Sequence, residues 1–172
     1  MPIDESIKAD IEEGQRLRGW ITNGYAQIEF LLGDLILRCR AFPEYRAETA
    51  TFTHSAVKRA RQVRRMLQKE GCLKPFAAEL TLIIDRFEER HETRNLLAHG
   101  YCEYLHTAIG DAGLQFQKWH RQDDRDDARL IRCFRLPDLV AERDSLVALS
   151  GEALDLFMRM HSHFGWKARP DG

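Results

Sequence analysis

One segment of the chain, Arg90–Tyr101, brings together residue types suited to acid–base and phosphate chemistry. Arg94 carries a guanidinium, which stays charged in proteins, and His99 carries an imidazole, which exchanges a proton near neutral pH. Metal-free cleavage of RNA needs two such groups. One moves the proton of the 2′-hydroxyl or of the leaving group, and the other is a fixed cation on the phosphate. The pair therefore predicts chemistry at a phosphodiester.

The position of Arg94 relative to its apolar neighbours leaves two interpretations open. Arg94 follows Phe87 by seven residues, which is about 20° on a helical wheel, so it falls on the stripe that a helix would bury. Burying a lone guanidinium is costly. Either a carboxylate such as Glu29 or Glu92 pairs with Arg94, or this end of the helix lines a wet groove. Glu29 interrupts the apolar run of the first predicted helix, and we predict that it holds Arg94 in position.

The spacing between Arg94 and His99 also constrains the site. The two residues are five apart, which is about 140° around a regular helix. One regular helix would not aim both side chains at the same atom. We therefore expect either a distortion of the helix end near Gly100 or two copies of the motif that meet across a dimer axis.

A second set of polar side chains, His91, Asn95 and His99, shares one edge of the same helix. This set could ligate a metal or form a hydrogen-bonded edge, and we favour the hydrogen-bonded edge, with His91 in a supporting role. The segment reads H-E-x-x-N, so it lacks the second histidine of a zinc protease. The cysteines form no C-x-x-C pair: Cys39, Cys72, Cys102 and Cys133. We expect four reduced thiols, no metal and no cofactor.

The elements that position these residues are expected to form a single domain over residues 1–172. Hydrophobic residues make up 44% of the chain and charged residues 31%, which is typical of a folded domain. The net charge is −1, so overall charge gives no reason to expect nucleic-acid or membrane binding. No apolar run approaches the length of a membrane span, and the start lacks a signal-peptide pattern. We therefore expect a cytoplasmic protein without a membrane partner.

The hydrophobic periodicity predicts an all-α fold, a four- to five-helix up-and-down bundle with one inserted β-hairpin before the last helix. Apolar spacings of three and four predict helices over residues 5–41, 54–70, 75–99 and 136–164. Gly14 and Asn23-Gly24 are the positions where the first helix could be interrupted, and Thr53 is a candidate cap of the second.

The region between the last two helices has a different pattern. Alternating residues on either side of a polar turn predict the hairpin at about residues 113–135. The chain end, residues 165–172, is expected to be frayed.

With these elements in place, the string Arg94-Asn95-Leu96-Leu97-Ala98-His99-Gly100-Tyr101 resembles the R-x4-6-H motif of HEPN domains, the "higher eukaryotes and prokaryotes nucleotide-binding" helical bundles. An asparagine after the arginine and a small residue before the histidine are also typical of that family. The resemblance implies a four- or five-helix bundle with the motif near the end of its third or fourth helix. Many members are metal-independent endoribonucleases that act as dimers in toxin–antitoxin, abortive-infection and CRISPR defence systems.

The resemblance also implies a role for each residue of the motif. Arg94 would be the cation on the phosphate, His99 the proton-transfer residue and Asn95 a supporting polar group. Tyr101 extends the match to R-x4-H-x-Y; in HEPN toxins paired with minimal nucleotidyltransferase antitoxins, the antitoxin adenylylates a tyrosine at this place. The implied partners are RNA, a second copy of the chain, and an antitoxin or other regulatory protein. The minimal toxins lack the hairpin, which favours a stand-alone or differently partnered branch.

A basic face on the second predicted helix bears on the substrate. Four cations share that face and stand opposite apolar residues: Lys58, Arg61, Arg65 and Lys69. We predict that this face follows an RNA backbone; the alternative is a solvated face balanced by the acidic N-terminus. On the hairpin, Trp119 and His120 are candidates for stacking a base, although such a tryptophan is more often a core or interface residue.

Three functions follow as predictions. The leading one is a metal-independent endoribonuclease, a toxin or defence effector that cleaves RNA through the 2′-hydroxyl at a dimeric composite site. The alternative is an inactive HEPN module that binds nucleotide, RNA or a partner protein. A third is a structural bundle in which Arg94 and His99 belong to a buried network. Cleavage requires both side chains to be exposed in a basic cleft, whereas the structural role requires both to be buried and paired.

Overall fold

The chain is mostly helical and carries one small antiparallel sheet. The computed structural model describes residues 4–106, 111–122 and 125–167, and of residues 120–122 and 125–127 the backbone alone. Within these residues there are six α-helices and three β-strands. The helices are α1 (Glu5–Cys39), α2 (Arg46–Thr49), α3 (Ala56–Leu67), α4 (Ala77–Glu89), α5 (His91–His99) and α6 (Leu136–Phe164). The strands are β1 (Tyr101–His106), β2 (Ala112–Gln122) and β3 (Arg125–Arg135).

The sheet corrects the expectation of an all-α bundle with a single hairpin. Strands β2 and β3 form the predicted hairpin, but β1 adds a third strand on the other side of β2, in the order β1-β2-β3. The alternation in β1 is hard to recognise because both of its faces carry polar residues and none of its residues is fully buried. The strands also extend into the predicted turn, to Gln122 and from Arg125. Residues 123–124 lie outside the described residues.

Helix α1 is unbroken at the glycines where an interruption was one alternative. A Cβ atom at Gly14 would lie 3.2 Å from the side chain of Leu114, and one at Gly24 would lie 3.0 Å from the side chain of Leu146. These glycines therefore allow close packing of a neighbouring side chain. They do not end the helix.

The helix predicted over residues 75–99 is two helices, α4 and α5. The amide of Arg90 donates to the carbonyl of Phe87 at 3.3 Å, a three-residue step that ends the α-helical ladder. The Arg90 carbonyl accepts a hydrogen bond from the buried Tyr25 hydroxyl at 3.2 Å, which fixes the turn. The angle expected between Phe87 and Arg94 on one helical wheel therefore does not apply.

Other boundaries are partly as predicted. Helix α6 spans the predicted residues. Ser55, not Thr53, is the N-cap of α3, where its hydroxyl accepts from the Lys58 amide at 3.5 Å. The segment before α3 includes a 3-10 turn at Pro43–Tyr45 and the short α2. Of the tail predicted to fray, residues 168–172 lie outside the described residues.

The chain divides into two compact units. The first unit contains Met1–Gly24 and His91–Val147, and the second contains Tyr25–Arg90 and Ala148–Gly172. The expectation of a single domain over residues 1–172 stays a prediction. No helix in the described ranges combines the length and the apolar character that crossing a membrane requires.

The core of the first unit lies under the inner face of the sheet. Its fully buried members come from α1, α5, the sheet and α6: Leu17, Ile21, Leu96, Leu97, Leu114, Phe116, Leu139 and Leu146. The Arg18 guanidinium covers the Phe116 ring at 5.3 Å, and its Nε donates to the Leu97 carbonyl at 2.8 Å. These contacts connect α1, β2 and the end of α5, which carries the motif.

Candidate functional site

Helix α5 holds the motif between two fixed points. Leu96 and Leu97 are fully buried and anchor one side of the helix in the first unit. At the helix end, the amide of Gly100 donates to the Leu96 carbonyl at 2.8 Å. On the other side, Nη1 of Arg132 on β3 donates to the Thr93 hydroxyl at 3.2 Å. The backbone that carries Arg94 and His99 is therefore fixed by both the core and the sheet.

The polar side chains of α5 form one connected network. Nη1 of Arg94 donates to Oδ1 of Asn95 at 2.9 Å and lies 3.3 Å from Nε2 of His99. Nδ2 of Asn95 lies 3.1 Å from Nε2 of His91. The structure thus brings together four residues that the sequence singled out, within one chain and without a second copy.

The contact between Arg94 and His99 places a proton-exchanging side chain beside a fixed cation. A guanidinium only donates hydrogen bonds and stays charged, whereas an imidazole is a side chain that exchanges a proton near neutral pH. The arrangement can therefore bind a phosphate and exchange a proton close to it.

The exposure of these residues differs along the network. His99 is exposed, whereas Arg94, Asn95 and His91 are half-buried. The structural role required both Arg94 and His99 to be buried, and cleavage required both to be exposed in a basic cleft. With His99 exposed and Arg94 half-buried, neither condition is met in full. Tyr101, which begins β1 directly after Gly100, has 66% of its surface exposed.

The two carboxylates proposed as partners of Arg94 lie in different units. Glu92 is in the first unit, 3.8 Å from Nη2 of Arg132. Glu29 lies on the part of α1 in the second unit, where its backbone carbonyl accepts from Nη1 of Arg59 at 2.7 Å. The pairing of Glu29 with Arg94 stays a prediction.

The predicted RNA-binding residues belong to the second unit and are not equivalent. Lys58, Arg61 and Arg65 are exposed along α3. Lys69 follows the end of α3, and its ammonium is 2.8 Å from Oε1 of Glu48. This ion pair lowers the pKa of the Glu48 carboxyl. Lys69 is therefore partly neutralised, whereas the other three cations face solvent.

Sequence reasoning missed Arg132 and the outward-facing side chains of the sheet. Arg132 lies between apolar residues of β3, and an arginine inside such a strand is a signal that it has a polar partner. Trp119 is a sequence-based candidate for base stacking, and 68% of its surface is exposed. The side chain of His120 lies outside the described residues.

The other reactive groups near the motif have a structural explanation. Burial raises the pKa of the Cys102 thiol, which accepts a long hydrogen bond from Nε2 of Gln15 at 3.8 Å. The neutral thiol is thereby favoured, and it is a poor nucleophile. All four cysteines are free thiols. Among the described side chains, no group of three or more His, Cys, Asp or Glu residues could hold a metal ion.

Comparison with known proteins adds no relative. The chain matches no protein-family model, no curated protein and no solved structure.

Proposed function

We propose that the chain is a metal-independent endoribonuclease of the HEPN type, with Arg94 and His99 as its catalytic pair and with the four- to five-helix bundle of that family. The observation that carries the proposal is the 3.3 Å separation of Nη1 of Arg94 from Nε2 of the exposed His99. The position of the motif at the end of α5 supports the same proposal, because the family resemblance implies the end of a helix.

The pair supplies the two functions that the reaction needs. A bound phosphodiester accepts hydrogen bonds from the Arg94 guanidinium, which stabilises the charge that develops on the phosphate oxygens. As Nη1 of Arg94 turns from Nε2 of His99 to the phosphate, Nε2 takes the proton of the adjacent 2′-hydroxyl while the hydroxyl oxygen bonds to phosphorus. The bond from phosphorus to the 5′-oxygen breaks. The products are a 2′,3′-cyclic phosphate, or a 3′-phosphate after hydrolysis, and a 5′-hydroxyl.

The leaving 5′-oxygen also needs a proton, and a homodimer provides it. Each chain has one motif, so two copies facing one cleft supply one imidazole as base and the other as acid. This arrangement accounts for the family's dimeric site. We further propose that the protein is a cytoplasmic toxin or defence effector, regulated by an antitoxin or another protein that recognises Tyr101 or its surroundings.

The second candidate function is a HEPN module without catalysis that binds nucleotide, RNA or a partner protein. One observation favours it: Nη1 of Arg94 already donates to Asn95 within its own helix. A guanidinium held in this way binds an anion equally well without any reaction. Cleavage is the property that separates the two functions.

The test is incubation of total RNA and transfer RNA with the wild type, Arg94→Ala and His99→Ala in EDTA. We expect cleavage by the wild type alone, with cyclic-phosphate or 3′-phosphate ends. His106→Ala is the matched control, since His106 is an exposed histidine of the same unit at the far end of β1, and it should cleave normally. Binding of RNA without cleavage by folded, dimeric wild type would favour the second candidate.

A further inference from the structure

The outer face of the sheet carries exposed side chains that the proposed reaction does not use. We define it as the sheet platform, made of Tyr101, Gln117, Trp119, Arg129 and Ile131. The exposed fractions of its large side chains are 66% for Tyr101, 68% for Trp119 and 44% for Ile131. Aromatic side chains on a sheet usually pack inward, as Phe116 does on the opposite face. Two rings left in solvent on one face are unusual for a purely structural sheet.

The strand register places these side chains next to each other. Tyr101 is opposite Gln117, and Gln117 is opposite Ile131. Trp119 is opposite Arg129 and lies diagonally across from Tyr101, a relationship that separates side chains by about 7–8 Å. Side chains at alternate positions point to the same face, so the two rings and the guanidinium form one surface.

The charges described on this face balance, and the cation among them that lies beside the rings is Arg129. The acidic side chains described on it are Glu103 and Asp111. The Glu103 carboxylate accepts hydrogen bonds from Nε2 of Gln115 at 3.1 Å and of Gln117 at 2.9 Å. Oδ2 of Asp111 is 3.4 Å from Nη2 of Arg135. The Arg129 side chain is exposed beside Trp119. The platform therefore offers two rings and one cation.

The platform begins close to the candidate site along the chain. Tyr101 is two residues after His99, and two residues of extended backbone span at most about 7 Å. A polynucleotide bound at the motif is therefore near the first residue of the platform.

We propose that the sheet platform binds single-stranded RNA by stacking bases of the substrate on Tyr101 and Trp119 while Arg129 contacts its backbone. Bases in a single strand expose their faces to aromatic side chains, whereas bases in a duplex are stacked on one another. The inference rests on the proposed ribonuclease function and adds its substrate class, RNA that is unpaired next to the cleaved phosphate.

The experiment measures binding in protein that does not cleave. In the His99→Ala background, the affinity for a fluorescein-labelled single-stranded RNA of about 12 nucleotides is measured by fluorescence anisotropy. Trp119→Ala and Tyr101→Ala should each weaken binding by about tenfold or more, as expected for the loss of one stacked base. Trp119→Phe keeps a ring and should retain most of the affinity. Trp20→Ala removes a tryptophan that is 53% exposed on α1 and should leave the affinity unchanged.

Three outcomes would overturn the inference. The first is no binding of the labelled RNA, and the second is equal binding by Trp119→Ala and its parent, whether or not the wild type cleaves RNA. The third is a change in the oligomeric state of Trp119→Ala or Tyr101→Ala without a change in RNA affinity, because the platform would then contact protein. Conversely, the wild type could bind RNA through the platform and never cleave it. That result would contradict the proposed ribonuclease function and would support RNA binding by the platform.

Discussion

Nη1 of Arg94 and Nε2 of His99 lie 3.3 Å apart although the two residues are five positions apart on one helix. A regular helix turns about 140° over that interval, so the two Cα–Cβ bonds point in different directions. The two nitrogen atoms are brought together by the conformations of the side chains. Arg94 is long and flexible, and His99 is the last residue of α5. The distance is therefore a property of the helix end, and substitutions that loosen this end should reduce activity before they unfold the protein.

Asn95 is expected to act as a positioning residue. Its Oδ1 accepts from Arg94 and its Nδ2 contacts His91, so Asn95→Ala removes one of the contacts that hold the guanidinium and keeps the guanidinium itself. We expect kcat for RNA cleavage to fall by roughly tenfold to a hundredfold, because a small misplacement of a catalytic group has effects of that size. Asn95→Asp keeps an acceptor for Arg94 and should retain more activity than Asn95→Ala. Equal loss in both variants would show that holding Arg94 is not the role of Asn95.

Gly100 is expected to be sensitive to any side chain. A Cβ atom at this position would lie 2.5 Å from the Leu96 carbonyl oxygen and 3.3 Å from Leu96 Cδ1. Gly100→Ala should therefore lower the free energy of unfolding by about 1–3 kcal/mol and reduce cleavage by displacing His99. Urea unfolding followed by circular dichroism measures the first effect.

Gly19→Ala is the matched control for that substitution. Gly19 is in the interior of α1, and nothing lies within 4 Å of a Cβ placed there. Alanine should raise the free energy of unfolding by about 0.5–1 kcal/mol. If both alanine variants changed stability alike, close packing at Gly100 would not be the cause.

The four basic residues predicted to bind RNA are expected to contribute unequally to the affinity. The binding constant K of a protein for RNA falls as the salt concentration rises. Each phosphate contact that is lost should make the slope of log K against log salt concentration less steep by roughly 0.7 for a single strand. Alanine at Lys58, Arg61 or Arg65 should show this reduction in binding measured across a salt series. Lys69→Ala should show less, because Lys69 is paired with Glu48. An equal effect of all four substitutions would mean that this ion pair opens when RNA binds.

Tyr45 provides a prediction about stability at high pH. Burial raises the pKa of Tyr45 from its ordinary 10.0 to about 12. The unfolded chain therefore loses this proton first, and the stability from Tyr45 is complete below pH 10 and is lost as the pH rises toward 12. We expect the free energy of unfolding to fall over this interval.

Tyr45→Phe tests the origin of that loss. The Tyr45 hydroxyl accepts from the buried Leu73 amide at 3.0 Å, so the variant should be less stable at pH 7 by about 1–3 kcal/mol. Between pH 10 and 12 its stability should fall less steeply than that of the wild type. A slope identical to that of the wild type would assign the alkaline transition to other groups.

The extent to which the sequence predicted the structure differs between elements. Helix α6 and the hairpin of β2 and β3 were predictable because apolar residues recur with a clear period. Strand β1 was not predictable. Neither of its faces is fully buried, so apolar and polar residues do not alternate clearly in its sequence. The break at Arg90 depends on the Tyr25 hydroxyl, a contact between residues far apart in sequence that no local pattern contains.

The same distinction holds for the site. Arg94, Asn95 and His99 were singled out by residue type and spacing, and they do lie together. The sequence left open whether one chain or two bring Arg94 to His99. A helical wheel separates the two residues by angle and takes no account of side-chain length. Arg132 is bound to Thr93 from a different strand, and such a pairing becomes visible only in three dimensions.

The most direct test of the account is a double-mutant cycle on the catalytic pair. Single-turnover cleavage of a defined RNA in EDTA is measured for the wild type, Arg94→Ala, His99→Ala and the double variant. If the two side chains act as one unit on one phosphate, each single variant loses roughly 10²–10⁴-fold in rate and the double variant is no slower than the slower single. Losses that multiply in the double variant, or a single variant that cleaves at the wild-type rate, would contradict the joint action of Arg94 and His99.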